Sequence, residues 1–223
     1  MNHKMPPQPQ SQPFIPALGL DWLTNLYDPA MATLFQEGLY RQPLIAALDL
    51  QPGQQLLDIG CGTGTLDLLL RQTVPDLVIV ALDIDPIVLA IAQRKANRRA
   101  MPIAWSLASA TALPYADASF DQVVSSLMLH HLTTEQKGWM LAEARRALRP
   151  GRSLSILDFG PPSTDWLATA LTAAAAGFEH VDDNLHGRVP NLFTQAGFGD
   201  VQMRDLAFGG LIKLYQGRKP GMI

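Results

Sequence analysis

The sequence has little of what marks secreted, membrane-spanning or polyanion-binding proteins. It contains one cysteine, Cys61, so no internal disulfide can form. No apolar run approaches the roughly 18 residues that span a bilayer, and the chain does not open with the charged, apolar and small-residue segments of a secretory signal. The net charge of -3 would not attract DNA or an acidic membrane. We therefore expect a cytoplasmic protein with a small-molecule substrate, no nucleic-acid partner and no stable membrane insertion.

Composition changes along the chain. The first sixteen residues are rich in proline and glutamine, which offer little apolar area to bury, and we predict a disordered tail over 1–20. From 21 to 50 apolar residues recur at helical spacing, with Pro29 and Pro43 as breaks, and predict two or three short helices. The length and the hydrophobic fraction of 48% favour a single domain over 21–223.

After the turn "QPGQ", apolar runs typical of strands covered on both faces alternate with helical segments. This alternation predicts an α/β fold with a parallel sheet and right-handed crossovers. The last two runs, on either side of "GG", predict an antiparallel hairpin at the sheet edge. The predicted strands are QLLDIG, LVIVALDI, IAWSLA, DQVVSSLM, SLSILDFG, VQMRDLAF and LIKLYQGRK, and the predicted helices are 65–73, 86–99 and 134–148, the last ending at the stop signal "RPG".

The stretch "LLDIGCGTG" carries the main functional signal. A strand runs into Gly60, Gly62 and Gly64 before a predicted helix, which places bare backbone where a ligand or a sharp turn needs it. The dinucleotide-binding spacing is Gly-x-Gly-x-x-Gly, and here the third glycine comes one residue early. Asp58, just before the glycines, would repel phosphates and attract a cationic group. The motif therefore disfavours NAD and favours a positively charged ligand.

The same stretch resembles motif I of the class I S-adenosylmethionine-dependent methyltransferases. The resemblance continues through "LDIDP", "ATALPYADASFDQVVSSLMLHHL" and "RALRPGRSLSILDFG", and is strongest to the small-molecule branch that includes the ubiquinone and menaquinone C-methyltransferases. It implies a Rossmann-like, doubly wound, mostly parallel sheet of seven strands in the order 3-2-1-4-5-7-6, with an antiparallel last strand, helices on both faces and an N-terminal helical lid. It also implies S-adenosylmethionine as cofactor and S-adenosylhomocysteine as product.

The second strand supplies candidates for binding the adenosine. Asp83 stands 19 residues after Gly64, close to the roughly 20-residue spacing at which an acid reaches ribose hydroxyls. Its alternative role is to cap the next helix, which Asp85 suits better. By resemblance, Ile84 would pack against adenine, and Tyr27, in a "YD" pair ahead of motif I, would approach the cofactor.

The segment before "LPY" departs from the family pattern. Relatives usually have Gly-Asp-Ala before "LPY", whereas this chain has Ser109 at the position of the acid. A hydrogen bond to a charged partner contributes about 1.5–3 kcal/mol against about 1 kcal/mol for a neutral one, so we expect weaker adenine binding or reliance on the backbone of Ala110. The candidate cofactor-binding residues are Asp58, Gly60, Cys61, Gly62, Gly64, Asp83, Ile84, Ser109, Ala110, Ser125 and Tyr27.

The fourth strand ends in "SSLMLHHL", and ligands gather at the carboxyl ends of parallel strands. Ser125 through His131 should therefore face the methyl group. His130 and His131 are the candidate catalytic bases, because an unperturbed imidazole titrates near neutral pH. Alternatively, such histidines cap a helix, or the ring is buried against a backbone carbonyl. Asp158, at the end of the fifth strand, is a candidate to orient the acceptor.

The sequence lacks the residues that several other kinds of methyltransferase and metal site require. The chain has no Asp/Asn-Pro-Pro-aromatic tetrad of the enzymes that methylate DNA bases. Catechol-type enzymes hold Mg²⁺ with carboxylates after the fourth and fifth strands, where this chain offers only Asp158. His180 and His186 lack the spacing of metal ligands and are expected at the surface, so we predict no metal. Segments 21–45 and 160–190 are additions around the sheet that would form a substrate lid, lined by Trp22, Tyr27, Trp166, Phe178 and His180. Core packing explains these aromatic residues equally well. The basic run of Arg94, Lys95, Arg98 and Arg99 is either a solvated helix face or a phosphate-binding patch.

The sequence thus predicts a metal-independent methyltransferase that passes a methyl group in line to a small-molecule acceptor. One alternative is a catalytically silent cofactor-binding or interaction protein, which Ser109 and the lack of a decisive base would allow. The other is an NAD oxidoreductase, which Asp58 and the glycine spacing disfavour. The sequence fixes neither the acceptor nor the oligomeric state.

Overall fold

A computed structural model describes residues 38–161 and 179–221 of the chain. Seven strands form one sheet in the order β3-β2-β1-β4-β5-β7-β6, which confirms the predicted topology. The strands are β1 (Gln55–Ile59), β2 (Val78–Asp83), β3 (Ala104–Leu107), β4 (Phe120–Ser126), β5 (Leu148–Phe159), β6 (Gly199–Ala207) and β7 (Ile212–Arg218). The helices are α1 (Gly38–Ala47), α2 (Thr65–Thr73), α3 (Pro86–Arg98), α4 (Thr134–Ala147), α5 (Asp182–Leu185) and α6 (Val189–Gln195).

Strand pairing brings three strand ends together. The first five strands pair in parallel, and β7 and β6 add the antiparallel hairpin that the sequence predicted. Asp58 of β1 lies opposite Ala81 of β2 and Val124 of β4, so the segments that follow these strands leave the sheet at the same edge. This edge carries the glycine loop and the two histidines, and the candidate site lies there.

The buried strand residues alternate between two core clusters. Leu56 belongs to a cluster with Leu70 of α2 and Leu44 of α1, whereas the adjacent Leu57 belongs to a cluster with Leu141 of α4. Since successive side chains of a strand point to opposite faces, β1 is apolar on both of them. This covering explains why the sequence shows a continuous apolar run there rather than an alternating pattern.

The turn signals of two segments were misleading. Pro43 lies inside α1 instead of breaking it. The "RPG" signal falls within β5, because the strand begins at Leu148 directly after α4. Leu148 pairs with Phe120 and Ser153 with Gln122, so β5 has three extra residues at this point, and the proline and glycine are accommodated in the irregularity.

Some predictions lie outside the described residues. These are the disordered tail at 1–20, the helices before residue 38, the candidate cofactor residue Tyr27, and the lid residues Trp22, Trp166 and Phe178. None of the helices in 38–161 and 179–221 is long and apolar enough to cross a membrane.

Candidate functional site

The three glycines of the loop after β1 all have positive φ, but their surroundings differ. A Cβ on Gly60 would collide with the side chain of Met128, and a Cβ on Gly64 would come within 2.6 Å of Trp105. A Cβ on Gly62, which has φ +54°, would meet nothing within 4 Å. Packing therefore requires the outer two glycines, and Gly62 is the one that borders open space where a ligand can approach the backbone.

Asp83 ties this loop to the end of β2. Its Oδ2 accepts a hydrogen bond from the Gly62 N–H at 2.9 Å, and its Oδ1 accepts one from the Asp85 N–H at 2.9 Å. Asp85 caps α3 by accepting from the Ile87 N–H at 2.7 Å, so the capping role belongs to Asp85, as predicted. Burial raises the pKa of Asp83, and the two backbone hydrogen bonds oppose that rise. Ile84 beside it is 56% exposed and offers an apolar surface at the same edge.

Two further acids are buried next to the glycine loop. Asp58 is 2% exposed and Asp67, in the first turn of α2, is fully buried. Within the described part of the chain, Asp58 Oδ1 and both Asp67 carboxyl oxygens have no hydrogen-bond partner. Burial, then the neighbouring carboxyl of Asp67, raises the pKa of Asp58 well above its usual value. Burial raises the pKa of Asp67 to about 7, although the positive charge of Arg41 lowers the pKa of both acids.

The other predicted cofactor residues make local contacts. The Ser125 hydroxyl is buried and donates to the Ile59 carbonyl at 2.8 Å, across β4 and β1. Ser109 Oγ accepts from the Thr111 N–H at 3.2 Å, which closes a turn after β3. Cys61 is buried, and this burial raises the pKa of its thiol. The cofactor roles of these residues stay predictions.

The basic run on α3 divides into two kinds of residue. The Lys95 ammonium donates to Thr65 Oγ1 at 2.8 Å and to Thr63 Oγ1 at 3.2 Å, and so fastens α3 to the glycine loop. Arg94 and Arg98 are exposed on the same helix. The exposure of these arginines fits both the solvated face and the phosphate-binding patch, so both interpretations stay predictions, while Lys95 supports the loop.

His130 and Asp158 form a buried pair at the ends of β4 and β5. His130 Nδ1 lies 2.9 Å from Asp158 Oδ1, and their side chains are 4% and 0% exposed. The same oxygen accepts from the Phe159 N–H at 2.7 Å and from the Asn184 amide at 3.2 Å. Burial alone would raise the pKa of Asp158, but the charge and hydrogen bond of His130 hold that pKa below its usual value.

His131 packs on the first histidine, with 4.1 Å between the ring centroids. Desolvation, followed by the charge of His130, lowers the pKa of His131 to about 4, so its ring is neutral near pH 7. Neither histidine caps α4, since Thr133 does so in a reciprocal box with Gln136. The buried His130 ring contacts the Asp158 carboxylate through Nδ1.

A buried lysine fastens part of the predicted lid beside this pair. The Lys137 ammonium of α4 donates to the His180 carbonyl at 2.7 Å and to Asp183 Oδ2 at 3.2 Å. Thr134 donates to the same Asp183 oxygen at 2.6 Å. His186 is exposed, and no group of three or more potential ligands is arranged to hold a metal ion in 38–161 and 179–221.

Sequence reasoning missed Asp67, Arg41, Lys95 and Asn184 as neighbours of the site. Asp67 interrupts the apolar pattern of a helix. From the sequence alone it is an acid in the first turn, where the helix dipole favours acidic residues, and nothing indicates that it is buried. Asn184 lies 26 residues after Asp158 and meets it only through the tertiary fold. No local pattern marks either residue.

Known proteins resemble this chain in sequence and in fold. The family described as "Methyltransferase domain" matches residues 56–151. A ubiquinone/menaquinone biosynthesis C-methyltransferase of Paracoccus denitrificans is 30% identical over 88% of this chain and 87% of the relative. A demethylmenaquinone methyltransferase of Thermus thermophilus is 37% identical over 55% of this chain, which spans about half (54%) of that relative.

The fold is also similar to that of a Haemonchus contortus phosphoethanolamine N-methyltransferase 2 solved in complex with S-adenosyl-L-methionine. The two structures have a TM-score of 0.74 at 16% identity, over 92% of this chain and 58% of the other. At this identity the similarity concerns the fold. The matched proteins are named as methyltransferases, which gives no support to the silent-protein alternative.

Proposed function

The chain belongs to the S-adenosylmethionine-dependent methyltransferases of the quinone C-methyltransferase type, and we propose that it methylates a ring carbon of a small quinone precursor. Its cofactor is S-adenosylmethionine. The names of the two relatives support this acceptor class, since one is a ubiquinone/menaquinone C-methyltransferase and the other a demethylmenaquinone methyltransferase.

The loop residues fit the cofactor. Asp58 Oδ1 is a buried acceptor without a partner among the described residues, and Gly62 borders open space. When bound, the cofactor supplies an electrophilic methyl group on a positively charged sulfonium. In the proposal Asp58 faces its cationic part, Asp83 accepts from the ribose hydroxyls, and Ile84 and the turn at Ser109 and Ala110 border the adenine. Gly60, Cys61, Gly64, Ser125 and Tyr27 complete the proposed cofactor set.

His130 is the proposed base. The ionised Asp158 carboxylate only accepts hydrogen bonds, so the hydrogen of the neutral imidazole resides on Nδ1 and Nε2 becomes the basic nitrogen. A base of this kind takes the proton that an acceptor loses when a bond to carbon forms. His131, with its pKa of about 4, is a poor proton acceptor near neutral pH. Its ring packs against the imidazole of His130. The observation that carries this role is the buried His130–Asp158 pair at the carboxyl ends of β4 and β5.

An assay with trideuteromethyl-labelled cofactor tests the proposal. Full-length protein is incubated with a short-chain demethylmenaquinol, and mass spectrometry with NMR locates the label. We expect a product with the label on a ring carbon. Label on oxygen would contradict the C-methylation, and cofactor binding without transfer to this or related hydroquinones would contradict the proposed acceptor class.

A further inference from the structure

The proposed transfer leaves the burial of Asp67 unexplained. Its carboxyl group is fully buried, and neither oxygen has a hydrogen-bond partner in the described ranges. A first-turn acid gains from the helix dipole, but burying a carboxylate without a hydrogen bond costs far more than a dipole returns. The neighbouring group is the carboxyl of Asp58, which is equally buried. Two ionised carboxylates can only accept, so a proton on one of them supplies the missing donor.

The charges around the pair nearly balance when it holds one proton. Arg41 of α1 lowers the pKa of both acids, and Lys95 of α3 lowers that of Asp67. Asp83 of β2 adds negative charge that raises the pKa of Asp58, and burial together with the nearby carboxylates raises the pKa of the Cys61 thiol, which therefore stays protonated. Lys95 already faces the hydroxyls of Thr63 and Thr65. The negative charge of Asp83 partly cancels the attraction of Arg41 and Lys95, so among the described residues the second ionisation of the pair is left without a full compensating cation.

S-adenosylmethionine brings that cation. With its sulfonium, ammonium and carboxylate groups it carries a net charge of +1 in the methionine part, whereas S-adenosylhomocysteine, which has lost the sulfonium, carries none. We propose that Asp67 and Asp58 form a carboxyl pair that shares one proton in the free enzyme and releases it to solvent when S-adenosylmethionine binds. Asp67 thereby acts as a positioning residue that favours the charged cofactor over the neutral product.

The direction in which cofactor affinity changes with pH follows from the number of protons that binding releases. Binding of the cation expels one proton from the pair, so a lower proton concentration favours binding. The titration of Asp67 near pH 7 places the effect close to neutrality. Affinity for S-adenosylmethionine should rise with pH up to that titration, by at most about tenfold per pH unit. Affinity for S-adenosylhomocysteine should change little, so the preference for cofactor over product should grow over the same range.

Calorimetric titration of the full-length protein measures the released proton. Binding enthalpies are compared in phosphate and imidazole buffers at one pH near 6.5, because these buffers differ in their heat of protonation. We expect close to one proton released per S-adenosylmethionine and clearly fewer per S-adenosylhomocysteine. Equal release by the two ligands, or none by S-adenosylmethionine, would overturn the proposal. The proposal rests on S-adenosylmethionine as cofactor, and a failure of that premise would appear differently, as no binding of either ligand.

The Asp67→Asn variant assigns the effect to this residue. With one acid left, Asp58 loses the like-charged neighbour that raises its pKa in addition to burial, so its ionisation should move to lower pH and the affinity should vary less between pH 6 and pH 8. The variant should bind S-adenosylmethionine more tightly than the wild type below about pH 6 and more weakly above about pH 8. Asp76→Asn, on an exposed turn, is the matched control and should behave as wild type. A slope retained in Asp67→Asn contradicts the assignment, and the wild-type buffer comparison decides the proposal if the variant does not fold.

Discussion

Asp158 holds His130 at two points. Its Oδ1 lies 2.9 Å from the ring Nδ1, and its Oδ2 accepts from the backbone N–H of the same histidine at 3.3 Å. The Asn184 amide and the Phe159 N–H fix the carboxylate in turn. One buried anion thus sets both the place of the imidazole and the nitrogen that carries its hydrogen, before any acceptor binds.

His130 and His131 should respond differently to the same substitution. His130→Gln removes the proposed base, and kcat should fall by about 10²- to 10⁴-fold, the range of general-base catalysis. His131→Gln should lower kcat by less than about tenfold, since a ring with a pKa of about 4 accepts no proton near neutrality. Steady-state kinetics measures both, with S-adenosylhomocysteine affinity as the check on folding. Equal losses of kcat in the two variants would contradict the assignment of His130 as the base.

Asp158→Asn should lower kcat by about 100-fold and leave the Kd of S-adenosylhomocysteine unchanged. An amide can donate to Nδ1, which favours the tautomer with its hydrogen on Nε2 and so removes the base. ¹⁵N NMR of the imidazole ring reports this tautomer directly, and a purely structural role would not change it. A wild-type tautomer with full loss of activity would contradict the positioning role. Asp200→Asn, at an exposed position of β6, is the control.

Alanine substitutions at two glycines of the loop should have different effects, one mainly on cofactor binding and the other mainly on stability. Gly62→Ala puts a methyl group into open space at φ +54°, so we expect weaker cofactor binding and a cost in stability of about 1–2 kcal/mol. Gly64→Ala adds a collision with Trp105 to a similar backbone cost, so its stability should fall by about 1–3 kcal/mol more. Urea unfolding and calorimetric titration separate the two quantities. Equal losses of stability would show that the surroundings of the two glycines do not differ in this way.

The burial of Asp67 also predicts how stability without cofactor depends on pH. Its pKa is about 7 in the folded protein against an ordinary value of 3.8, so the folded state binds more protons over this interval. The free energy of unfolding should therefore fall as pH rises from about 4 to about 7, by about 2–4 kcal/mol from this residue. Asp67→Asn should flatten the dependence in urea unfolding, and Asp76→Asn should retain it. If the free energy of unfolding of Asp67→Asn depends on pH as in the wild type, the titrating group is a different residue.

The sheet and the glycine loop could be predicted from sequence because their signals are local. Buried parallel strands are apolar on both faces, and positive φ at Gly60, Gly62 and Gly64 leaves few other residues possible. Asp85 likewise sits where a helix cap must be.

The contacts that give the site its chemistry could not be predicted in the same way. Asp67 belongs to a helix whose pattern is apolar, and its neighbour Asp58 belongs to a strand. The partners of Asp158 come from the segment after β4 and from Asn184 on α5. Pro43 stands in α1 although proline disfavours helix interiors, so tertiary packing outweighs propensity there. Such pairs become visible when the fold brings distant segments together.

The backbone contacts of Asp83 bear on turnover. Its two oxygens already hold the Gly62 and Asp85 amides, so a nucleoside bound there as proposed would meet a preorganised loop and lose little freedom in fitting it. The proposed ribose contact is the same for the cofactor and for the spent nucleoside thioether, which differ by one charge. We therefore expect accumulated product to compete with the cofactor for this loop and to inhibit the enzyme.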